Sequence, residues 1–191
     1  LSYMVHDQPA LVHEMFEYWT WFIMELLDEP LTRIKVDLII LNEDMAYKKQ
    51  AMLSPSSIRE FMLPRYRRIT DAIRRSGVDI IFVDSDGDVS ELIPLWLEAG
   101  INGVFPMEQA CGNDLHAYRR RYGRELLMAG GLDKRALARG RRAIDDELQR
   151  QLPLAAGGGY VPTLDHAIPP HVGFEDFCYY WKRKKTLLGV P

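Results

Sequence analysis

Short apolar runs alternate along the chain with longer stretches whose apolar residues recur every three or four positions. Residues 9–27 form the first such stretch, with Leu11, Met15, Phe16, Trp19, Phe22, Ile23 and Leu26 at helical spacing. Residues 34–41 (IKVDLIIL) then read as a buried strand ending at Asn42-Glu43-Asp44. Ser54-Pro55 is a helix start, with Ser as the N-cap and Pro at the first helical position. That helix runs toward Ser76-Gly77 with Ile58, Phe61, Met62, Ile69 and Ile73 on one face, and Pro64 should bend it.

Further strands are expected at 78–83, 103–105, 126–129 and 160–163. Helices at 90–99, 115–122 and 134–152 separate them, and an amphipathic helix at 174–188 closes the series. The order is one helix and then five β-α units, an α/β chain with a parallel sheet, spaced as in a barrel or a doubly wound sheet. No low-complexity linker interrupts residues 1–191, so a single domain is expected. No Gly-x-Gly-x-x-Gly follows a strand, which weighs against a dinucleotide, and the absence of Gly-x-x-x-x-Gly-Lys-[Ser/Thr] excludes a P-loop.

Composition narrows the classes. At 47% hydrophobic and 27% charged, the chain is an ordinary globular one, and a net charge of −3 offers no basic field to nucleic acid. The arginine runs at 119–121 and 139–142 lie among acidic residues and read as solvated helix faces. No apolar run reaches the ~20 residues that span a bilayer, and no signal peptide opens the chain. Two cysteines, Cys111 and Cys178, lack metal-ligand spacing and fit a reducing, cytoplasmic setting. The chain opens on Leu1 rather than Met, which points to an upstream portion.

Candidate chemistry gathers at the strand ends. Each strand finishes on its carboxyl side in acidic residues: Glu43 and Asp44, Asp84 and Asp86, Glu108, Asp133, and Asp165 with His166. In parallel α/β folds ligands bind at that edge. Carboxylates gathered there must hold protons, meet Lys or Arg, or bind a cation. Asp84-Ser85-Asp86-Gly87 is the most pointed segment, because carboxylates at i and i+2 share a side if the backbone stays extended, and Gly87 allows a sharp turn. Asp44 and Asp133 read equally well as loop or helix caps. His166 shares the acidic edge, whereas His6, His13, His116 and His171 read as surface or packing residues. Tyr47, Arg65 and Tyr66 stand near the first strand end, with functional and packing roles both open. Cys111 lacks a basic partner in sequence and is not expected to be a nucleophile.

The stretches Glu43-Asp44-Met45-Ala46-Tyr47, Leu53-Ser54-Pro55 and 61–69 (FMLPRYRRI) resemble the uroporphyrinogen decarboxylase superfamily. So do 83–88, Gly130-Gly131-Leu132-Asp133 and 165–170 (DHAIPP), in the family's order and over nearly the whole chain. The resemblance implies a (β/α)8 barrel with its site at the strand carboxyl ends, of which this chain would be the C-terminal part, about five β-α units without the first three. It also implies either porphyrinogen decarboxylation or corrinoid-linked methyl transfer to thiols. In the methyltransferases a His-x-Cys-Gly segment and a later Cys hold zinc. Here Asp84-Ser85-Asp86-Gly87 and His166 stand in those places, so any metal would be a divalent cation, zinc or a harder ion, held by Glu43, Asp84, Asp86 and His166.

For an enzyme of this kind, the strand-end positions suggest catalytic roles for Asp84, Asp86, Glu108 and His166, and substrate contacts from Asp44, Tyr47 and Asp133. Expected partners are a small-molecule substrate, a corrinoid protein, and either a second copy or another segment that completes the barrel. The family's substrate-binding arginines and catalytic Asp lie on units with no counterpart here. Three readings therefore stand: a divergent methyltransferase-like or decarboxylase-like enzyme, a truncated porphyrinogen decarboxylase, and a non-catalytic barrel fragment acting through assembly.

Overall fold

Pro9 opens the longest helix of the molecule, and the aromatic and aliphatic residues that follow it carry that helix to Arg33, six residues past the expected end. The computed structural model describes residues 2–190, which fall into two compact units that divide between Gly103 and Val104.

In the first unit a short turn α1 (Met4–Asp7) precedes α2 (Pro9–Arg33), and β1 (Leu38–Asn42) follows. The expected strand at 34–41 thus begins only at Leu38; Lys35 and Asp37 before it are solvent-exposed. Ser54 caps α3 (Pro55–Ser57), its Oγ accepting from Ser57 N at 3.1 Å. A π-helical turn (Ile58–Met62) then leads into α4 (Leu63–Arg75). Pro64 cannot donate to the preceding turn. Arg65 Nη1 instead donates to the Phe61 carbonyl at 3.1 Å. The irregularity expected at Pro64 is therefore a widened turn just before it.

Leu63, Tyr66, Ile69, Thr70 and Ile73 form the buried face of α4. Thr70 Oγ1 donates to Ala99 O at 2.6 Å, joining α4 to the end of α5 (Ile93–Glu98). β2 (Ile80–Asp84) pairs in parallel with β1, Leu38 facing Ile80 and Asn42 facing Asp84. Asn102 extends this pairing with its side chain, accepting from Ile81 N at 2.9 Å and donating to Asp79 O at 2.8 Å. Phe61, Ile58, Ile73, Ile81, Ile93 and Trp96 fill the core.

β3 (Gly103–Phe105) starts on the last residue of the first unit. The second unit continues with α6 (Leu115–Tyr122), β4 (Leu127–Leu132), α7 (Arg135–Ala138), α8 (Arg141–Gln151), β5 (Tyr160–Leu164) and α9 (Phe174–Leu188). The single helix expected over 134–152 is two, because Gly140 adopts φ +87°, a left-handed conformation that no helix interior tolerates. β4 and β5 pair in parallel, Met128 with Tyr160 through Leu132 with Leu164. Leu132, Leu137, Ile144, Leu148, Leu152 and Tyr180 form the core. Both strand pairs whose register is defined are thus parallel, and strand-helix alternation makes the chain α/β, as expected.

Candidate functional site

At the carboxyl end of β1 and β2 the two loops are sewn together through their backbones. Glu43 N donates to Asp84 O at 2.9 Å, and Asp88 N to Tyr47 O at 2.9 Å. Met45 N donates to the Oγ of Ser85, a fully buried hydroxyl, at 2.9 Å. Asp44 takes a left-handed φ of 52° and accepts from Asp86 N. Gly87 (φ +87°) passes so close to the other loop that a Cβ there would lie 2.6 Å from the Tyr47 carbonyl oxygen. Only glycine fits.

The alternation of burial continues beyond the end of β2. Val83, Ser85, Gly87 and Val89 are buried, while Asp84, Asp86 and Asp88 between them are half-exposed. Asp84 and Asp86 are therefore both accessible, and Asp88 caps the following turn by accepting from Ser90 N at 3.0 Å. Tyr47 lies at the exposed tip of a small turn that its amide closes on Gln50 O at 2.8 Å.

Glu43 is a perturbed acid of this unit. Burial pushes its carboxyl above the usual range, and the neighbouring Tyr66 phenol partly offsets the shift. Tyr66 in turn is driven well above the ordinary phenol value, first by its own burial and then by the Glu43 charge. Arg65 Nη2 holds Glu17 of α2 at 2.8 Å, so Arg65 is a helix-packing residue. His13 stacks on Phe61 at 4.5 Å and belongs to the same packing.

The second unit organises its strand ends around Asp165. This fully buried carboxylate accepts from Gln109 N at 2.8 Å and from Lys134 N at 2.9 Å, joining the loops after β3 and β4 to the end of β5. Burial raises its pKa, against the pull of those two amides. Asp133 has the opposite balance. Burial would raise it, but Arg135 grips both oxygens, at 2.8 and 2.9 Å, and the net shift is downward. Asp133 also accepts from Arg135 N at 2.8 Å, so it caps α7.

Glu108 follows Met107, a buried residue held at φ +58°. Its Oε1 meets Lys134 Nζ at 3.3 Å and its Oε2 meets the Cys111 thiol at 3.3 Å. Pro106 O, just before it, accepts from Gly131 N at 3.0 Å, and a Cβ on Gly130 would stand 1.8 Å from that oxygen. Gly130 is therefore required by close backbone approach, whereas a Cβ on Gly131 would meet the Leu115 side chain at 2.4 Å. His166 is exposed, and its Nδ1 accepts from Ala167 N at 2.7 Å, which leaves Nε2 as the proton-bearing nitrogen.

The structure thus brings Glu43, Asp44, Asp84 and Asp86 together in one unit, and Glu108, Asp133 and Asp165 together in the other. Among the described residues, no three His, Cys, Asp or Glu side chains stand together as a cation cage. Lys134 and Ser85 take part without having been singled out in the sequence. A lysine directly after a strand-end aspartate was the available signal for Lys134.

A family model described as uroporphyrinogen decarboxylase (URO-D) matches residues 1–185. The chain is similar to the uroporphyrinogen decarboxylase of Hordeum vulgare, 24% identical over 96% of this chain and 53% of that protein. It is also similar to the chloroplastic enzyme of Nicotiana tabacum (25%, over 71% of this chain and 34% of the relative). The Streptomyces coelicolor enzyme is 30% identical over 62% of this chain and 32% of its own length. The chain therefore spans between a third and about half of the curated relatives it matches.

Proposed function

Because the chain belongs to the uroporphyrinogen decarboxylase family, we propose that it forms part of an enzyme that handles a carboxylate-bearing substrate by acid-base chemistry at its strand carboxyl ends. The observation that carries this reading is the alternation of burial that runs past β2 and leaves both Asp84 and Asp86 accessible. Removing CO2 leaves an electron pair that must be protonated, and acids held near neutrality do this best. Burial of Glu43 favours its protonated form, and His166 presents its Nε2–H as a hydrogen-bond donor. Asp84, Asp86 and Glu108 are the proton carriers of the proposal. Asp44 and Tyr47 contact substrate at the rim, while Asp133, with both oxygens on Arg135, positions its loop. A corrinoid-linked transfer to a thiol is the competing chemistry. The acidic segment lacks the His and Cys that hold zinc in that reaction, which favours decarboxylation.

The test is a pair of assays on the same preparation: uroporphyrinogen with detection of carboxylate loss, and methylcobalamin with a thiol. Loss of carboxylates, slowed about tenfold or more by Asp86→Asn and by His166→Gln, is expected. Methyl transfer without decarboxylation, or a decarboxylation indifferent to both substitutions, would overturn the reading.

A second reading concerns assembly and rests on a separate observation. Leu38 and Ile40 of β1, and Tyr18, Trp19, Trp21 and Leu26 of α2, are all exposed. Apolar surface of this kind marks an interface. We propose that further β-α units, from a longer polypeptide or a second chain, cover it, and that the five strands here are part of an eight-stranded barrel. Sedimentation together with tryptophan fluorescence checks this. A chain that stays monomeric at high concentration, with Trp19 and Trp21 still quenchable by water-soluble agents, would count against coverage by a second copy.

A further inference from the structure

The acids at and beside the strand ends of the second unit are neutralised in two different ways. Asp133 and Glu147 are each gripped by an arginine through more than one contact, at 2.8 and 2.9 Å from Arg135 and at 2.6 and 2.8 Å from Arg150. Asp133 N also donates to Glu147 Oε1 at 3.0 Å, which ties the two pairs into one scaffold. Multi-toothed arginine pairs are strong and directional, and they do not exchange partners readily.

The Lys134–Glu108 pair is built otherwise. It has a single contact, Nζ to Oε1 at 3.3 Å, longer than a good charge-assisted hydrogen bond. Both side chains keep access to solvent, 18% for Lys134 and 17% for Glu108. Their bases are nevertheless fixed, because Lys134 N and Gln109 N both donate to the buried Asp165 carboxylate. A flexible ammonium therefore stands on an immobile mount at the strand carboxyl edge, partnered by the Glu108 carboxylate. Replacing that carboxylate with another costs little, since the donor keeps the same kind of acceptor. Glu108, once displaced, keeps the Cys111 thiol on its other oxygen.

We propose that Lys134 is a docking cation for a carboxylate group of the ligand, and that Glu108 holds its place until the ligand arrives. This rests on the reading of the protein as an enzyme for carboxylate-bearing substrates and names one residue that would recognise them. Placeholder competition has a signature that a structural ion pair lacks: the two partners respond in opposite directions. Loss of the cation weakens binding, whereas neutralising the placeholder removes a competitor and tightens it.

The probes are uroporphyrin, the fluorescent oxidised ring bearing the same carboxylates as uroporphyrinogen, and acetate, with chloride as the control at equal ionic strength. Binding of uroporphyrin is expected to weaken about tenfold in Lys134→Gln, to recover in Lys134→Arg, and to tighten about threefold or more in Glu108→Gln. In protein carrying 13C-labelled lysine, the Lys134 side-chain signal, assigned from the Lys134→Arg spectrum, is expected to shift saturably with acetate and not with chloride. Weaker or unchanged binding in Glu108→Gln overturns the placeholder. A Lys134 signal indifferent to acetate, with uroporphyrin binding unchanged in Lys134→Gln, overturns the docking role and leaves the family-substrate reading intact. If acetate moves the signal and uroporphyrin does not bind, docking of a carboxylate stands and the tetrapyrrole is the wrong substrate.

Discussion

Gly87 and Tyr47 touch through their backbones: the space a Gly87 side chain would need already holds the Tyr47 carbonyl oxygen, 2.6 Å from the ideal Cβ position. Since Asp86 precedes Gly87 and Glu43 begins the opposing loop, this contact sets how the acids of the first unit present themselves.

Gly87→Ala should therefore destabilise the protein by about 2–5 kcal/mol, combining the left-handed backbone penalty with a clash against main chain that cannot retreat. Gly112 is the control. It has nearly the same φ, +90°, and nothing within 4 Å of its Cβ position, so Gly112→Ala should cost only the backbone part, about 1 kcal/mol. Urea unfolding of the two variants measures the difference. Equal losses would mean that the Tyr47 contact is unimportant.

Ser85→Ala removes the acceptor of Met45 N inside a buried seam. The cost should be about 1–3 kcal/mol, because an amide is left without its partner. The Met45 amide should also exchange with solvent faster, which hydrogen-exchange NMR reads residue by residue.

Asp133 and Asp165 should show opposite pH signatures. Arg135 holds the folded pKa of Asp133 below its ordinary value. Its contribution is present above the unfolded pKa of about 3.9 and lost as pH falls through the lowered folded value. The stability gap between the protein and Asp133→Asn should therefore narrow on acidification. Burial raises the folded pKa of Asp165, so its linkage favours the folded state at low pH and fades as pH rises through that raised value. Denaturant titrations from acid to neutral pH check both slopes. Parallel slopes would contradict the assignment.

Asp165→Ala should loosen both loops that its carboxylate joins. The expected loss is about 3 kcal/mol or more, since two buried amides lose a charged acceptor. Gln109 and Lys134 amides should lose exchange protection together. Loss at one alone would show that the loops are held independently.

Much of the fold was legible because its signals are local. The helices at 115–122 and 174–188 and the strand at 103–105 match the structure to the residue, and Ser54-Pro55 caps where its chemistry says it should. The single helix read over 134–152 failed at Gly140, whose left-handed φ outweighs a continuous charged pattern. The strand read over 34–41 began late, because apolar composition alone does not mark where pairing starts. The acidic positions could be found from their place after each strand. The parts played by Lys134, Ser85 and Asp165 could not, since each depends on which loop lies beside it. Asp133 shows the same limit: its cap was readable, but the two-toothed grip of Arg135 was not.

The exposed row of Leu38 and Ile40 on β1 has a practical corollary. A strand paired on one side, with greasy residues in the open, behaves as a socket. Left alone at high concentration it invites self-association, and shaking or warming should hasten precipitation. Offered a matching segment it becomes the fixed half of a complementation pair, so a reporter split just ahead of Leu38 would have its docking register already set by Leu38–Asn42.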